Sequence, residues 1–182
     1  MYSFMRLLWY FLSRIIIWGA AASLVVFAFF MAMDYMNAST LTKDGMQLRA
    51  QIVIKGSDPS TLTKVFSKTY LQTDTLLNSS VYRQYRVSAF NYSADCDFAF
   101  VFPWQNTVTL RMTEKVSNIQ AQTTPDPDSG LPENPPDWKN AVYDIKLARQ
   151  EGSWRIISIE TVEILPAPSP SVSAYAYPSE GF

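Results

Sequence analysis

One uncharged apolar segment constrains this chain more than any other feature of its sequence. It runs from Ile15 to Met33 and reads IIIWGAAASLVVFAFFMAM. A helix of this length measures about 28 Å at ~1.5 Å per residue, which is close to the hydrocarbon thickness of a bilayer. The segment therefore predicts a transmembrane helix over residues 15–33.

The charges beside the apolar segment indicate its orientation. Arg6 and Arg14 precede it, and Asp34 is the first charge after it. Basic residues beside a span favour the cytoplasmic side, so we expect residues 1–14 in the cytoplasm. Aromatic residues suited to the membrane interfaces lie near the two ends of the segment: Trp9, Tyr10 and Trp18 near one end and Tyr35 at the other. The sequence thus predicts a single-pass protein of the cell membrane with an extracytoplasmic C-terminal domain.

A cleaved signal peptide is the alternative interpretation of the same segment. The apolar core of a signal peptide usually has ~7 to 15 residues and ends at a small-residue cleavage site. This run is longer and ends FFMAMDYM, which favours an uncleaved anchor. Cleavage would leave a mature N-terminus near Asp34 or Ser39. Gly19 and Ser23 stand at helix-packing spacing, which is compatible with self-association in the membrane.

The composition removes several classes of function. The chain has 182 residues, no histidine, one cysteine (Cys96) and a net charge of −1. Without histidine it lacks the commonest metal ligand and general base, and one cysteine cannot form an internal disulfide. A net charge near zero provides no strongly basic face for nucleic acid. We therefore expect no metal, no cofactor and no nucleic-acid partner.

Residues 34–56 form a membrane-proximal connector between the apolar segment and a second helix. Their mixed sequence predicts that the first helix continues to a break at Gly56. Asp58 and Pro59 then form the N-cap and first-turn pair that begins a helix. Helical spacing places four apolar residues on one face of this second helix: Leu62, Val65, Phe66 and Tyr70.

Beyond Val81 the apolar period changes to two, which predicts strands. Two of the predicted strands are joined by a short connection at residues 103–106, which is typical of a hairpin. Each strand has one strongly apolar face, so we expect one side of a sheet to be buried. In chain order the apolar faces contain Cys96, Phe98, Phe100 and Phe102; Val108, Leu110 and Met112; and Tyr143, Ile145 and Leu147.

The last predicted strand begins after a turn at Gly152 and changes phase along its length. Its large apolar residues occupy one face up to Ile159 and the opposite face from Val162 onward. A bulge or bend near residues 160–161 would reconcile the two halves. We therefore expect a curved sheet.

Two proline-rich segments interrupt this pattern. Residues 124–138 form an excursion between strands, and residues 166–182 form a tail rich in proline and serine. Proline removes backbone donors and fixes φ, so neither segment is compatible with regular structure. We expect an exposed excursion, a disordered tail and an ordered α+β domain over residues 57–165.

The stretch Tyr143–Ile159, YDIKLARQEGSWRIISI, resembles the closing hairpin of the nuclear transport factor two-like superfamily, also described as SnoaL-like or cystatin-like α+β cones. In that superfamily a Gly-x-Trp-(Lys/Arg)-Ile signature ends one long strand and begins the next. FSKTYLQTD at Phe66–Asp74 is similar to the family's earlier helix. The resemblance implies a helix packed on a curved, cone-like antiparallel sheet. The long excursion at 124–138 departs from the family pattern and leaves the strand pairing around it open.

An enzyme of this superfamily needs an acid or base inside the cone. Asp95 and Asp97 point away from the aromatic face of their strand, and Asp144 and Glu160 are similar, so we expect solvated carboxylates. Cys96 lies on the apolar face, where a cysteine is usually a small buried side chain. The sequence therefore supplies no catalytic residue, although a buried carboxylate with a raised pKa would be a candidate.

Two sets of aromatic residues suggest binding surfaces. The first is a candidate pocket or interface, although aromatic residues at strand spacing are more typical of a core: Phe98, Phe100, Phe102, Trp104, Tyr143 and Trp154. The second alternates rings and cations as nucleic-acid surfaces do: Tyr82, Arg83, Tyr85 and Arg86. The near-zero net charge favours cation–π or cross-strand pairing for the second set.

These features favour a membrane-anchored scaffold that contacts other envelope proteins, or itself, in a bacterial assembly of the secretion or conjugation type. The layout is similar to that of inner-membrane assembly factors of type IV secretion and conjugation machines. Two alternatives stay open. One is a small-molecule-binding or cyclase-like domain that uses the cone as a pocket. The other is a pilin-like subunit, against which the absence of an acidic residue inside the apolar run counts.

Overall fold

The computed structural model describes residues 2–79, 81–123, 132 and 135–166. Over these residues the chain has an α+β fold, as predicted, with a four-stranded antiparallel sheet in the order β1-β2-β3-β4. Most of the predicted excursion and nearly all of the predicted tail lie outside the described residues. The elements in chain order are α1 (Tyr2–Lys55), a 3₁₀ helix (Pro59–Lys64), α2 (Lys68–Thr73), β1 (Tyr85–Cys96), β2 (Thr107–Thr123), β3 (Ala141–Gln150) and β4 (Ser153–Ile164).

Helix α1 has 54 residues and two halves with different surroundings. The first half is apolar and exposed, and by length and composition it could cross a membrane. A signal sequence near an N-terminus has the same two properties. The second half continues without a break and ends at Lys55, as the sequence predicts. Gly56 then adopts a φ of 68°, a left-handed conformation that glycine accepts without strain.

The second half of α1 packs on the sheet and supplies part of the hydrophobic core. Buried helix residues begin at Ala38, so the core extends back into the segment that the sequence analysis treats as a connector. Met46 and Ile52 of α1 belong to the same cluster as buried residues of β2, β3 and β4. The strand residues of this cluster are Val108, Leu110, Met112, Ile145, Leu147, Trp154 and Ile156.

The single helix predicted after Asp58 is wrong, because the structure has two short helical segments there. Asp58 does cap the first, where its side chain accepts a hydrogen bond from Ser60 N at 3.0 Å. Phe66 then leaves helical geometry to form a parallel bridge with Ile156 of β4. Ser67 caps α2. The predicted helix is therefore interrupted at Phe66, a residue of its predicted apolar face, because Phe66 pairs with the edge strand β4.

The first predicted strand is wrong at its C-terminal end. Strand β1 stops at Cys96, and residues 97–106 form an irregular connection that we call the aromatic loop. Asp97 N still bonds to Arg111 O at 2.9 Å, but the loop then turns toward helix α1. Aromatic residues thus continue to alternate with other residues beyond the end of β1, and this alternation alone does not indicate a strand. The residues placed wrongly in a strand are Phe98, Phe100 and Phe102.

The remaining strands agree with the predicted faces. Leu110, Met112 and Ile145 are fully buried. The predicted irregularity in β4 is present, since the pairing with β3 shifts between Thr161 and Glu163. A second shift lies between Ile156 and Ser158, which the sequence analysis did not predict.

Candidate functional site

Charged and phenolic side chains lie close together on one side of the core, and we call this group the buried polar cluster. Its charged members come from three elements: Arg49 from α1, Asp74 from the C-cap of α2 and Glu114 from β2. All three are at least nine-tenths buried. Side chains this polar are rarely buried without partners, so their arrangement requires an explanation. The uncharged members are Tyr70, Tyr92, Trp138 and Tyr143.

Arg49 and Asp74 form a two-bond ion pair inside the domain. Arg49 Nε donates to Asp74 Oδ2 at 2.5 Å, and Arg49 Nη2 donates to Asp74 Oδ1 at 2.9 Å. Burial opposes the charge on Asp74, but the bonds and charge of Arg49 outweigh it and lower the pKa of that carboxyl. Burial likewise opposes the charge on Arg49, and Asp74 more than offsets it, so the pKa of Arg49 is raised. Both groups are therefore charged at neutral pH.

Asp74 also fixes the chain that leaves α2. Its Oδ1 accepts hydrogen bonds from Leu76 N at 2.9 Å and Leu77 N at 3.4 Å. The same carboxylate thus orders the backbone after the helix and holds Arg49. This side chain therefore links helix α1 to the end of α2.

Glu114 is the fully buried carboxyl of the cluster. Its Oε2 accepts a hydrogen bond from Trp138 Nε1 at 3.3 Å, while Oε1 has no hydrogen-bond partner among the described residues. Burial raises the pKa of Glu114, and the nearby charge of Arg49 and the hydroxyls of Tyr92 and Tyr143 only partly offset the effect. The surroundings of Glu114 therefore favour the protonated carboxyl more than water does, and that form can donate as well as accept.

The raised pKa of Glu114 makes stability depend on pH in a definite direction. Folded protein binds a proton at Glu114 more tightly than unfolded protein does. Between the ordinary glutamate pKa and the raised one, stability therefore falls as pH rises. Asp74 acts in the opposite sense, because its lowered pKa gives stability above the ordinary aspartate pKa that is lost as pH falls.

The tyrosines of the cluster remain protonated donors. Burial raises the pKa of Tyr143 to about 12, with a further contribution from Glu114. Burial raises the pKa of Tyr70 and Tyr92 still further. Tyr92 Oη has no hydrogen-bond partner of normal geometry among the described residues. Two buried polar atoms, Tyr92 Oη and Glu114 Oε1, are thus left without such bonds, which is costly unless a water or ligand reaches them.

A cavity of about 540 Å³ opens beside the cluster. Arg49, Tyr70, Asp74 and Tyr143 line it, whereas Glu114 is not among the lining residues. Its volume is within the range of small-molecule sites. Other lining residues come from the end of β4 and from the segment before β3: Ile159, Thr161, Ile164, Pro136, Trp138 and Lys139. The cavity wall thus combines apolar side chains with tyrosines and the neutralised Arg49–Asp74 pair.

No group of three or more metal-ligating side chains occurs in the described part of the chain. The carboxylates considered in the sequence analysis do not enter the cavity. Asp95, Asp97 and Glu160 are exposed, and Asp144 pairs with Arg111 on the sheet surface at 2.8 Å and 3.0 Å. The structure therefore gives none of these four an enclosed acid–base role.

The aromatic residues predicted to line a pocket or interface are divided between three places. Tyr143 lines the cavity, and Trp154 is buried in the core, where Arg149 lies over its ring at 4.7 Å. The other four belong to the aromatic loop, which lies against α1. Phe98, Phe100 and Trp104 are about two-thirds exposed there, and Phe102 is half-buried.

The ring-and-cation segment spans the turn before β1 and the first residues of β1, where Tyr85 and Arg86 pair across the strands with Thr123 and Gln122 of β2. Tyr82 and Tyr85 are buried and donate hydrogen bonds to Pro136 O at 3.0 Å and Pro132 O at 3.2 Å. These bonds hold described parts of the proline-rich excursion against the domain. Tyr82 also lines the cavity, so the excursion contributes to the cavity wall.

The sequence analysis missed the buried polar cluster, although a pattern for Glu114 was present. Glu114 continues the period of two from Leu110 and Met112, and Val116 follows in the same phase. An acid at an apolar position of a strand is a candidate buried carboxyl. Arg49 similarly lies one helical turn after the core residue Met46. Comparison of the chain with protein-family models, curated proteins and solved structures found no match.

Proposed function

We propose that the chain is a single-pass membrane protein whose α+β domain lies outside the cytoplasm and works by contact with other proteins of an envelope assembly. The observation that supports this most directly is the continuity of α1. One unbroken helix contains an exposed apolar half and a half that belongs to the domain core. Such a helix would hold the domain at a fixed distance from the bilayer, which raises its effective concentration for partners in the same membrane.

Contacts near Asp34 support an anchor over a cleaved signal peptide. Arg149 Nη2 donates to Asp34 Oδ1 at 2.8 Å, and Ala38 is fully buried. Cleavage near Ser39 would remove Asp34 and Ala38 from the folded domain. Arg6 and Arg14 before the apolar segment support a cytoplasmic N-terminus.

The far end of β4 offers a surface for protein contact. Residues 65–67 cover the first half of this edge strand, through Ser67 N to Ile156 O and Ile156 N to Val65 O, both at 2.9 Å. The second half is uncovered among the described residues, and Val162 and Ile164 are 49% and 66% exposed. An open strand edge with exposed apolar residues is a template for pairing with another chain.

We also propose that the domain is a nuclear transport factor two-like variant, as in the assembly factors of secretion and conjugation machines. The hairpin at residues 143–159 supports this, because Gly152 lies in the turn at a φ of 80° and Trp154 is buried directly after it. A helix packed against an antiparallel sheet also supports this proposal.

Photocrosslinking in native membranes tests the proposal. A photoreactive residue at position 162 or 164 should form an adduct with a second copy or with another membrane or envelope protein. Lys146, exposed on the central strand β3, is the control position and should give little adduct. Equal labelling at all three positions, or adducts with cytosolic proteins alone, would contradict the proposed interface.

The cavity supports a second candidate function, the binding of a small polar molecule. Native mass spectrometry of the detergent-solubilised chain should then detect a retained molecule. Thr73→Trp at the exposed cavity rim should displace it, whereas Thr69→Trp, one turn earlier and outside the lining, should not. Loss with both substitutions, or no retained mass in the parent protein, would argue against this function.

A further inference from the structure

We propose that the aromatic loop, residues 97–106, inserts into the lipid interface and forms a second membrane contact beside α1. The inference rests on the proposed membrane span and adds to it a lipid-binding surface on the folded domain. Between Phe98 and Trp104 the loop reads FAFVFPW and carries no charge. Its exposed rings belong to Phe98, Phe100 and Trp104.

The loop is held against the apolar half of α1. The Phe27 ring stacks on Phe102 and on Trp104, with centroids 6.4 Å and 5.5 Å apart. Nearer the domain, Tyr35 packs on Phe98 at 5.0 Å. Because Phe27 lies inside the predicted span, the rings that stack on it lie at the level of lipid.

The polar groups beside the loop mark the boundary of this apolar zone. The Asp34–Arg149 ion pair lies where the helix leaves the apolar segment. Phe27 precedes Asp34 by seven residues, which corresponds to about 10 Å along a helix. The loop thus extends from the charged boundary to roughly the depth of the outer hydrocarbon region.

Part of the loop backbone has no free donor. Lipid penalises free backbone donors, so an irregular segment must satisfy them internally or remain near the interface. Phe102 N donates to Gln105 Oε1 at 3.0 Å, Gln105 N donates to Phe102 O at 2.9 Å, and Pro103 has no N–H. Val101 is fully buried and ties the loop to the core. Aromatic rings, tryptophan above all, favour the membrane interface.

Lipid is the occupant that these contacts favour, because the exposed rings continue the exposed apolar surface of α1. Phe29, Phe30 and Met33 are also exposed at the same levels of the helix. A partner protein on the loop would have to displace lipid from this surface as well. Two membrane contacts, one helix and one loop, would restrict rotation of the domain about the axis of α1.

Site-specific fluorescence in lipid vesicles tests the inference on the full chain. The single cysteine is replaced by Cys96→Ala, and a polarity-sensitive label is attached at Phe98→Cys or Trp104→Cys. Phe30→Cys on the helix is the lipid control, and Ser88→Cys on the exposed part of β1 is the water control. The vesicles contain phosphatidylcholine with a nitroxide on the acyl chain, and iodide is the aqueous quencher.

We expect a label at 104 to match position 30, with a blue-shifted emission, strong loss of intensity to the lipid nitroxide and little loss to iodide. A label at 98, which lies beside Tyr35 at the charged boundary, should fall between positions 30 and 88. Labels that behave like position 88 would overturn the loop insertion while leaving the span intact. Protection from both quenchers would also overturn it, and would show that protein covers the loop. If position 30 itself is quenched by iodide and not by lipid, the proposed span fails first.

Discussion

Two arginine–aspartate pairs in this protein have nearly the same geometry and very different burial. Arg49–Asp74 has bonds of 2.5 Å and 2.9 Å, with side chains 8% and 2% exposed. Arg111–Asp144 has bonds of 2.8 Å and 3.0 Å, with side chains 52% and 32% exposed. The exposed pair Arg111–Asp144 can therefore serve as the control for the effect of burial on Arg49–Asp74.

We predict that Arg49→Met lowers the free energy of unfolding by about 3 kcal/mol, because it leaves the Asp74 carboxylate buried without its cation. Breaking a buried pair typically costs ~3–5 kcal/mol, and the lower end applies because Leu76 N and Leu77 N still bond to Asp74. Arg111→Met should have little effect, since surface ion pairs contribute little.

The double variant Arg49→Met/Asp74→Asn tests the mechanism. Asparagine keeps an acceptor oxygen for Leu76 N but carries no charge, so we expect the double variant to be more stable than Arg49→Met alone. Guanidinium unfolding of the full chain in detergent micelles, followed by far-UV circular dichroism, gives the free energies. Equal costs for Arg49→Met and Arg111→Met, or no recovery when Asp74→Asn is added to Arg49→Met, would show that burial does not determine the contribution of the ion pair.

Three further predictions use the same unfolding measurement. Glu114→Gln should stabilise the protein at neutral pH and remove the fall in stability expected above the ordinary glutamate pKa. Glu160→Gln, at an exposed residue, should leave the pH profile of stability unchanged. A parent protein whose stability rises with pH throughout that range would disprove the raised pKa of Glu114. Gly45→Ala should lower the free energy of unfolding by up to about 2 kcal/mol, because the new Cβ would lie 2.5 Å from Val65 Cγ1. This overpacking should cost more than the gain in helix propensity. A more stable variant would mean that the Val65 side chain moves aside easily. Gly56→Ala should lower the free energy of unfolding by about 1 kcal/mol, because alanine is strained at the φ of 68° although its Cβ would meet no other atom. An unchanged denaturant midpoint would contradict a fixed left-handed conformation at this position.

Periodicity predicted the parts of the fold in which burial alone decides the structure. Leu110, Met112 and Ile145 face the core as expected, and α1 ends before Gly56 as expected. Periodicity failed where tertiary contacts compete with it. Phe66 pairs with β4 instead of continuing a helix. The aromatic loop packs on α1 instead of continuing β1. Neither partner can be read from the local sequence.

The buried polar cluster shows a second limit of sequence analysis. Arg49, Asp74 and Glu114 lie far apart in the chain, and only the packing of α1 on the sheet brings them together. Glu114 had a local signature, since it occupies an apolar phase of β2, and Arg49 follows the core residue Met46 by one helical turn. Asp74 has none, because its role depends on an arginine 25 positions earlier.

The proposed function requires that the first half of α1 remains attached to the protein and crosses the membrane. Accessibility of single cysteines in sealed vesicles tests it most directly, with a membrane-impermeant maleimide, a Cys96→Ala background and cysteines at Met5 and Ser88 in turn. We expect the two positions to be labelled from opposite faces of the membrane and the intact mass to include residues 1–33. Labelling of both from the same face, or a mature protein that begins near Asp34 or Ser39, would contradict it.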